Sequence, residues 1–281
     1  MALLSYIRRN RKLVPQINKD EALCEMLNGN LPEGDTSLIT LFKELDNTIK
    51  AEDANVKDGA LNNAHGDWYE YLLGIASWNL FVSGDAANLA LILPNIRQFD
   101  VATLYNEEFC NIIYDLREKI VASTDVELIT SNPDFVIVSG DVVRQRVSEF
   151  EPITELTTEN LNFISSLYQS FVNSCGFDDI IGYIGVKASL RPDRRLQLPH
   201  EGSLMKAIYV HLQTRNWIID PKGLKYYAIS RSINDSDRKA LRTVATHSIT
   251  TVHNEPQAAV DEVYAVDSLN SATDVLSRIL N

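Results

Sequence analysis

Lys187 closes an apolar, β-branched run from Ile180 to Val186, so the sequence places an ammonium at the end of a strand that should be buried. Burying it is costly unless a carboxylate or a ligand phosphate meets it. Two carboxylates are candidates. Asp134 follows Pro133 at the start of a second apolar run, Phe135 to Val138, which puts its side chain at a strand edge. Glu201 falls on the helix expected after an Arg-rich turn, with Pro199 either in the first turn of that helix or kinking it, so that Glu201 lies near the N-terminal end. Two acids and a lysine facing one another are the minimum for metal-assisted phosphodiester hydrolysis. The acids hold Mg²⁺, a hard cation that prefers oxygen; the metal polarises phosphate and activates water; the ammonium neutralises developing charge. Taken singly, the same residues fit a turn cap, a strand end in water and a solvated helix face that includes Lys206.

After three intervening residues, Lys187 is followed by Arg191-Pro192-Asp193-Arg194-Arg195, a proline-stiffened turn. Arginine donates a fork of hydrogen bonds to the O6 and N7 edge of guanine, and aspartate accepts from the N4 amino group of cytosine. The unit has the chemistry to read G·C pairs. An internal Arg–Asp cluster on the surface is the plainer use of the same residues. Adjacency favours the first, because a base reader would then lie beside a phosphate cutter.

These residues need a sheet to hold them. Helical periodicity runs over Thr36 to Glu52, about Asp67 to Val82, Val101 to Ala122, Leu161 to Val172, Leu204 to Leu212, around Lys239 to Thr246, and about Ser271 to Leu280. Strand-like runs are Leu89 to Leu93, Val126 to Thr130, Phe135 to Val138, Ile180 to Val186 and Tyr226 to Ile229. Alternating strands and helices predict an α/β fold with a mixed central sheet flanked by helices. The simplest organisation is one domain over 1–281, with a helical N-terminal part over 1–85 and an α/β core over 86–281.

With 281 residues, 45% hydrophobic and 23% charged, the chain has an ordinary globular composition. Its net charge of −12 argues at face value against nucleic acid and anionic membranes. The distribution reverses that reading: residues 187–231 carry +6 and the remainder −18, so an acidic body bears one basic segment that would face DNA. Cys24, Cys110 and Cys175 form no close pair and fit a reducing compartment. No stretch approaches a membrane span, the first residues lack the order of a secretory signal, and a cytoplasmic chain without membrane contact is expected. His65, His200, His211, His247 and His253 lack zinc spacing, and no phosphate-binding glycine loop or dinucleotide fingerprint is present. His200 beside Glu201 fits either a hydrogen-bonding group behind the site or an ordinary polar residue.

Asn132-Pro133-Asp134, the run from Lys187 to Leu198 and the run from His200 to Ala207 together resemble type IIF restriction endonucleases that cut purine-CCGG-pyrimidine, within the PD-(D/E)XK nuclease superfamily. The similarity extends to Gly66-Asp67-Trp68-Tyr69-Glu70, Leu128 to Ser131, Gln213 to Trp217 and Ala245 to Thr250, and covers most of the chain from about residue 60. It implies a restriction-endonuclease-like core and a permuted site. The acid usually two positions before the lysine is here Gly185, and the resemblance supplies it from Glu201. It further implies Asp134, Lys187 and Glu201 as the catalytic set with Mg²⁺ on the two acids, Glu70 as an auxiliary carboxylate, and Arg191, Asp193 and Arg194 as readers of the CCGG core. Arg195 would contact phosphate or pair with an acid. A homodimer or a homotetramer of two back-to-back dimers is implied, with Trp217 at the contact between dimers or, alternatively, a core aromatic. The expected activity is a Mg²⁺-dependent endonuclease on palindromic double-stranded DNA in the bacterial cytoplasm, cutting after the purine to leave four-base 5′ overhangs with 5′-phosphates. A DNA-binding protein without catalysis and a repair or junction nuclease are the competing readings.

Overall fold

The computed structural model describes residues 6–9, 11, 14–96, 98–124, 126–128, 132–250 and 255–281, with the Asp193 side chain outside the description. A small antiparallel pair, β1 (Ile7–Arg9) and β2 (Pro15–Ile17), precedes α1 (Lys19–Met26), α2 (Leu38–Glu52) and α3 (Asp58–Ser83). The central sheet follows in the order β3 (Leu89–Ile92), β4 (Phe135–Val138), β5 (Ile180–Lys187), β6 (Lys225–Ser230) and β7 (Glu262–Ala265). Strands β3, β4 and β5 pair antiparallel, whereas β5, β6 and β7 pair parallel, giving the mixed sheet. Between the strands lie α4 (Glu107–Thr124), α5 (Gly140–Arg146), α6 (Thr158–Ser166), α7 (Pro192–Arg215) and α8 (Asp235–Leu241), and α9 (Leu269–Ile279) ends the chain.

Local chemistry explains the elements that matter to the site. All four residues of both β3 and β4 are buried, as expected for strands covered on both faces. In α2, Ser37 accepts from the Thr40 N–H, and Leu38, Phe42, Leu45 and Ile49 form the buried stripe. Helix α3 is buried on most sides, including Trp68, Tyr69, Leu72, Leu73 and Trp78, and stops at Gly84, whose φ of 84° suits a glycine after a helix. It packs against α1, α6, α9 and β3, while α7 packs against β5, β6, α4 and α8.

Several boundaries differ from the sequence expectation. Helix α3 begins at Asp58 and not near Asp67, because Leu61 and Ala64 continue its buried face through a polar stretch. Helix α7 begins at Pro192, which takes the favoured first position, so Pro199 lies inside the helix and Glu201 is well past its N-terminus. The Arg-rich segment is therefore the first helical turn and not a loop. The helix expected around 239–246 is instead α8 followed by a short 3₁₀ turn, Thr246–Ile249, and the 161–172 helix splits into α6 and a 3₁₀ segment, Leu167–Phe171. Residues 126–128 have no strand structure, and Ile129, Thr130 and Ser131 lie outside the described residues. The short edge strand β7 carries too few apolar residues to announce itself.

Candidate active site

A cleft of about 540 Å³ opens at the carboxyl ends of the parallel pair β5–β6. That is where open α/β sheets place their ligands. Asp134 and Lys187 meet in it across two neighbouring strands. Phe135 pairs with Ile184, so Asp134, the residue before β4, faces the last residues of β5. Its carboxylate accepts from the Val186 N–H at 2.5 Å and from Lys187 Nζ at 2.8 and 3.2 Å. Both side chains are nearly enclosed, 10% and 13% exposed. Burial pushes the Lys187 ammonium toward the neutral form, but Asp134, then Glu201 and Glu70, outweigh it and hold its pKa above the ordinary lysine value. Lys187 is a fixed cation at neutral pH.

Glu70 reaches the cleft from α3. Burial, then the charges of Asp134 and Asp67, raise its pKa well above the usual carboxylate range, with Lys187 and Lys19 opposing. Asp67 is itself paired with Lys19. Glu201 is more deeply placed, 1% exposed on α7. Tyr226 Oη donates to its Oε2 at 2.7 Å and Gln197 Nε2 donates to its Oε1 at 2.9 Å. The structure thus brings Asp134, Lys187 and Glu70 to the cleft surface, with Glu201 behind them within electrostatic reach of Lys187.

The donor set suits a hard divalent cation: the carboxylate oxygens of Asp134 at the cleft, with the carboxyl of Glu70 beside them. Among the described residues no three His, Cys, Asp or Glu side chains stand close enough together to enclose a metal. Mg²⁺ does not require such a cage, since it keeps several waters and binds through one or two carboxylates and substrate phosphates.

Arg191 and Arg194 line the same cleft from the first turn of α7. Arg191 is the N-cap and makes no capping bond with its side chain, and Arg194 Nη1 donates to Gln197 Oε1 at 3.0 Å. Arg195 pairs with the buried Asp237 of α8 at 2.6 Å, the acid-paired option of its two expected roles. Three arginines at a helix N-terminus oppose the helix dipole, which favours anions there. Lys206 lies elsewhere: its buried ammonium donates to Ala258 O and Asp261 Oδ2, both at 2.6 Å, bracing α7 against the 258–261 segment. His200 is exposed on a separate groove and does not back the site.

Sequence reasoning missed Arg231, Asn62 and Asn63 as cleft residues. Arg231 Nε donates to Ala188 O at 3.0 Å, and its guanidinium lies 5.2 Å over the Phe42 ring. The parallel register brings Arg231 there, because Lys187 pairs with Ser230 and the next residue of each strand emerges on the same rim. The basic segment divides accordingly. Lys187, Arg191, Arg194 and Arg231 face the cleft, whereas Lys206 and Lys225 pair with Asp261 and Arg215 with Asp115.

Trp217 lies far from any core. It is 88% exposed, followed by Ile219 at 96%, and it occupies a left-handed backbone position, φ 54°, in the turn that ends α7. The Ile218 N–H donates to Gln213 O across that turn, a closure in which glycine usually fills the left-handed place.

A family model described as Cfr10I/Bse634I restriction endonuclease matches residues 13–281. The chain is 42% identical over 232 residues to the type II restriction enzyme Cfr10I of Citrobacter freundii, covering 80% of each. A crystal structure of the type IIF restriction endonuclease Bse634I with cognate DNA superposes with a TM-score of 0.88 over 100% of both chains at 30% identity. A second Bse634I structure gives 0.87 over 99% and 98%, also at 30% identity.

Proposed function

Since the chain belongs to the Cfr10I/Bse634I restriction endonuclease family and is a type II site-specific deoxyribonuclease, we propose that it hydrolyses both strands of purine-CCGG-pyrimidine after the purine, using Mg²⁺. The observation that carries the reading is the Asp134–Lys187 pair on the wall of a cleft that Arg191 and Arg194 also line. Asp134 and Glu201 would hold the ion. When bound, Mg²⁺ supplies Lewis acidity at the scissile phosphate and makes water a better nucleophile. Lys187 neutralises charge on the phosphate oxygens, and Asp134 fixes the ammonium while offering its carboxylate to the cleft. Glu70 orients water as an auxiliary carboxylate. Arg191, Asp193 and Arg194 read the G·C pairs, with Arg195 beside them held by Asp237. A palindromic target follows if two copies pair about a two-fold axis and present the same reader to each half-site.

A repair or junction nuclease would select DNA shape over sequence, and a binding protein would read sequence without cutting. Competition in Ca²⁺ between a duplex carrying the site and a scrambled duplex of equal length separates the first of these. The cognate duplex is expected to compete about 10³-fold better or more; equal competition would contradict sequence reading.

The chain is proposed to work in the bacterial cytoplasm as a homodimer or as a homotetramer of two dimers, with Trp217 at the contact between dimers. An indole held in a left-handed turn costs roughly 1–2 kcal/mol over glycine, which solvent exposure alone does not repay. Trp217→Gly is therefore expected to leave the fold as stable or more stable, by about 1 kcal/mol, while lowering the assembly state. Sedimentation velocity beside thermal unfolding checks both; an unchanged assembly would remove Trp217 from the interface.

A further inference from the structure

Glu201 is the one acid of the site that the usual superfamily position does not supply, and what holds it is unusual. Its carboxylate is buried, yet each oxygen meets a side-chain donor: Tyr226 Oη at 2.7 Å on Oε2 and Gln197 Nε2 at 2.9 Å on Oε1. Tyr226 is wholly buried on β6 and cannot swing away. A Cβ at Gly185 would lie 2.6 Å from Tyr226 Oη and 2.3 Å from Leu198 Cδ2. The hydroxyl and the Leu198 methyl together thus occupy the space that any side chain two residues before Lys187 would need. On the other side, Gln197 Oε1 accepts from Arg194 at 3.0 Å, which orients the amide so that its NH₂ faces Glu201.

We infer that Tyr226 and Gln197 are positioning residues that clamp the Glu201 carboxylate for metal binding, and that Gly185 is the vacancy that admits the Tyr226 hydroxyl. This rests on the reading of Glu201 as a metal ligand. A carboxylate on a flexible side chain loses rotamer freedom when it binds an ion, and donors that hold it beforehand reduce that loss. The guanidinium proposed to read a base also orients the amide that holds the ligand, so the reader turn and the cleavage centre share one hydrogen-bonded chain along α7.

The test uses the full chain and a fluorescein-labelled purine-CCGG-pyrimidine duplex, with affinity measured without metal and across a Ca²⁺ series. Tyr226→Phe removes one hydroxyl and keeps the ring in the core; Gln197→Met removes the amide at similar volume. Both variants are expected to need about tenfold more Ca²⁺ or more for half of the metal-induced tightening, and Tyr226→Phe, which touches no reader, to bind DNA without metal within about twofold of the parent. Raised Mg²⁺ should restore cleavage by Tyr226→Phe. Glu201→Gln in the same assay separates the failures. Loss of the metal-induced tightening in Glu201→Gln with a parental Ca²⁺ curve in both other variants overturns the clamp alone. A parental Ca²⁺ curve in Glu201→Gln overturns Glu201 as a ligand, and the clamp with it. A change confined to metal-free affinity, with the Ca²⁺ midpoint unmoved, also overturns the clamp, since only a structural role would act that way.

Discussion

Asp134→Asn is expected to lower single-turnover cleavage of cognate DNA by at least about a thousandfold, the several kcal/mol that a metal and its carboxylate supply at a transition state. Asparagine is the informative choice. It keeps an acceptor for the Val186 N–H and the packing at the strand end, while removing the charge that Lys187 and a cation both use. Asp134→Ala would instead leave the Lys187 ammonium buried without its principal partner, a change of roughly 3–5 kcal/mol in stability that would confound any loss of activity. Because one negative charge is removed from where a phosphate must lie, metal-free affinity for DNA should stay level or rise. Cleavage and anisotropy on the same protein check the two arms. Near-parental cutting by Asp134→Asn would remove Asp134 from the chemistry.

The second large effect concerns the reader. Arg191→Ala should reduce discrimination for the CCGG core with little change in stability, because the side chain is exposed and caps nothing. A bidentate arginine–guanine contact is worth about 1–3 kcal/mol, and a symmetric dimer makes it twice, so about 2–6 kcal/mol per site is at stake. That corresponds to a loss of roughly 30-fold to 10⁴-fold in affinity for cognate over scrambled duplex. Relieving charge at the positive end of α7 should leave the melting temperature unchanged or slightly higher. If cognate and scrambled duplexes weaken equally, Arg191 contacts phosphate and does not read a base. Arg194→Ala also releases Gln197 from its partner, so it should lose metal response as well as discrimination.

Much of this site was legible because burial and charge conflict in the sequence. A lysine ending an apolar strand demands a carboxylate, and Asp134 at the neighbouring strand end answers that demand at 2.8 Å. The mixed sheet was legible from the runs at 89–93, 135–138, 180–186 and 226–229, all of them strands with hydrophobic continuity. Less legible was anything set by three-dimensional register. Arg231 enters the cleft only because β6 lies parallel to β5, and Tyr226 reaches Glu201 only because Gly185 leaves a gap between neighbouring strands. Proline position misled in one case. Pro199 suits either the first turn of a helix or a kink, but Pro192 fills the first turn and the helix continues through Pro199, carrying Glu201 into a buried mid-helix place. Trp217 could not be divided between core and surface by composition, since a tryptophan is apolar in both; only the left-handed turn and its exposure separate them. The net charge was the least informative property as a total, because Lys206, Lys225 and Arg215 are spent on internal or surface ion pairs while four cations face the cleft.

The central claim is sequence-specific hydrolysis at one site, and the positions and chemistry of the ends it leaves test it most directly. Plasmid DNA digested with the protein and Mg²⁺, with every new terminus sequenced on both strands, should show cuts only after the purine of purine-CCGG-pyrimidine, with 5′-phosphates and four-base 5′ overhangs. Intact DNA across a range of salt, or termini unrelated to CCGG, would contradict it.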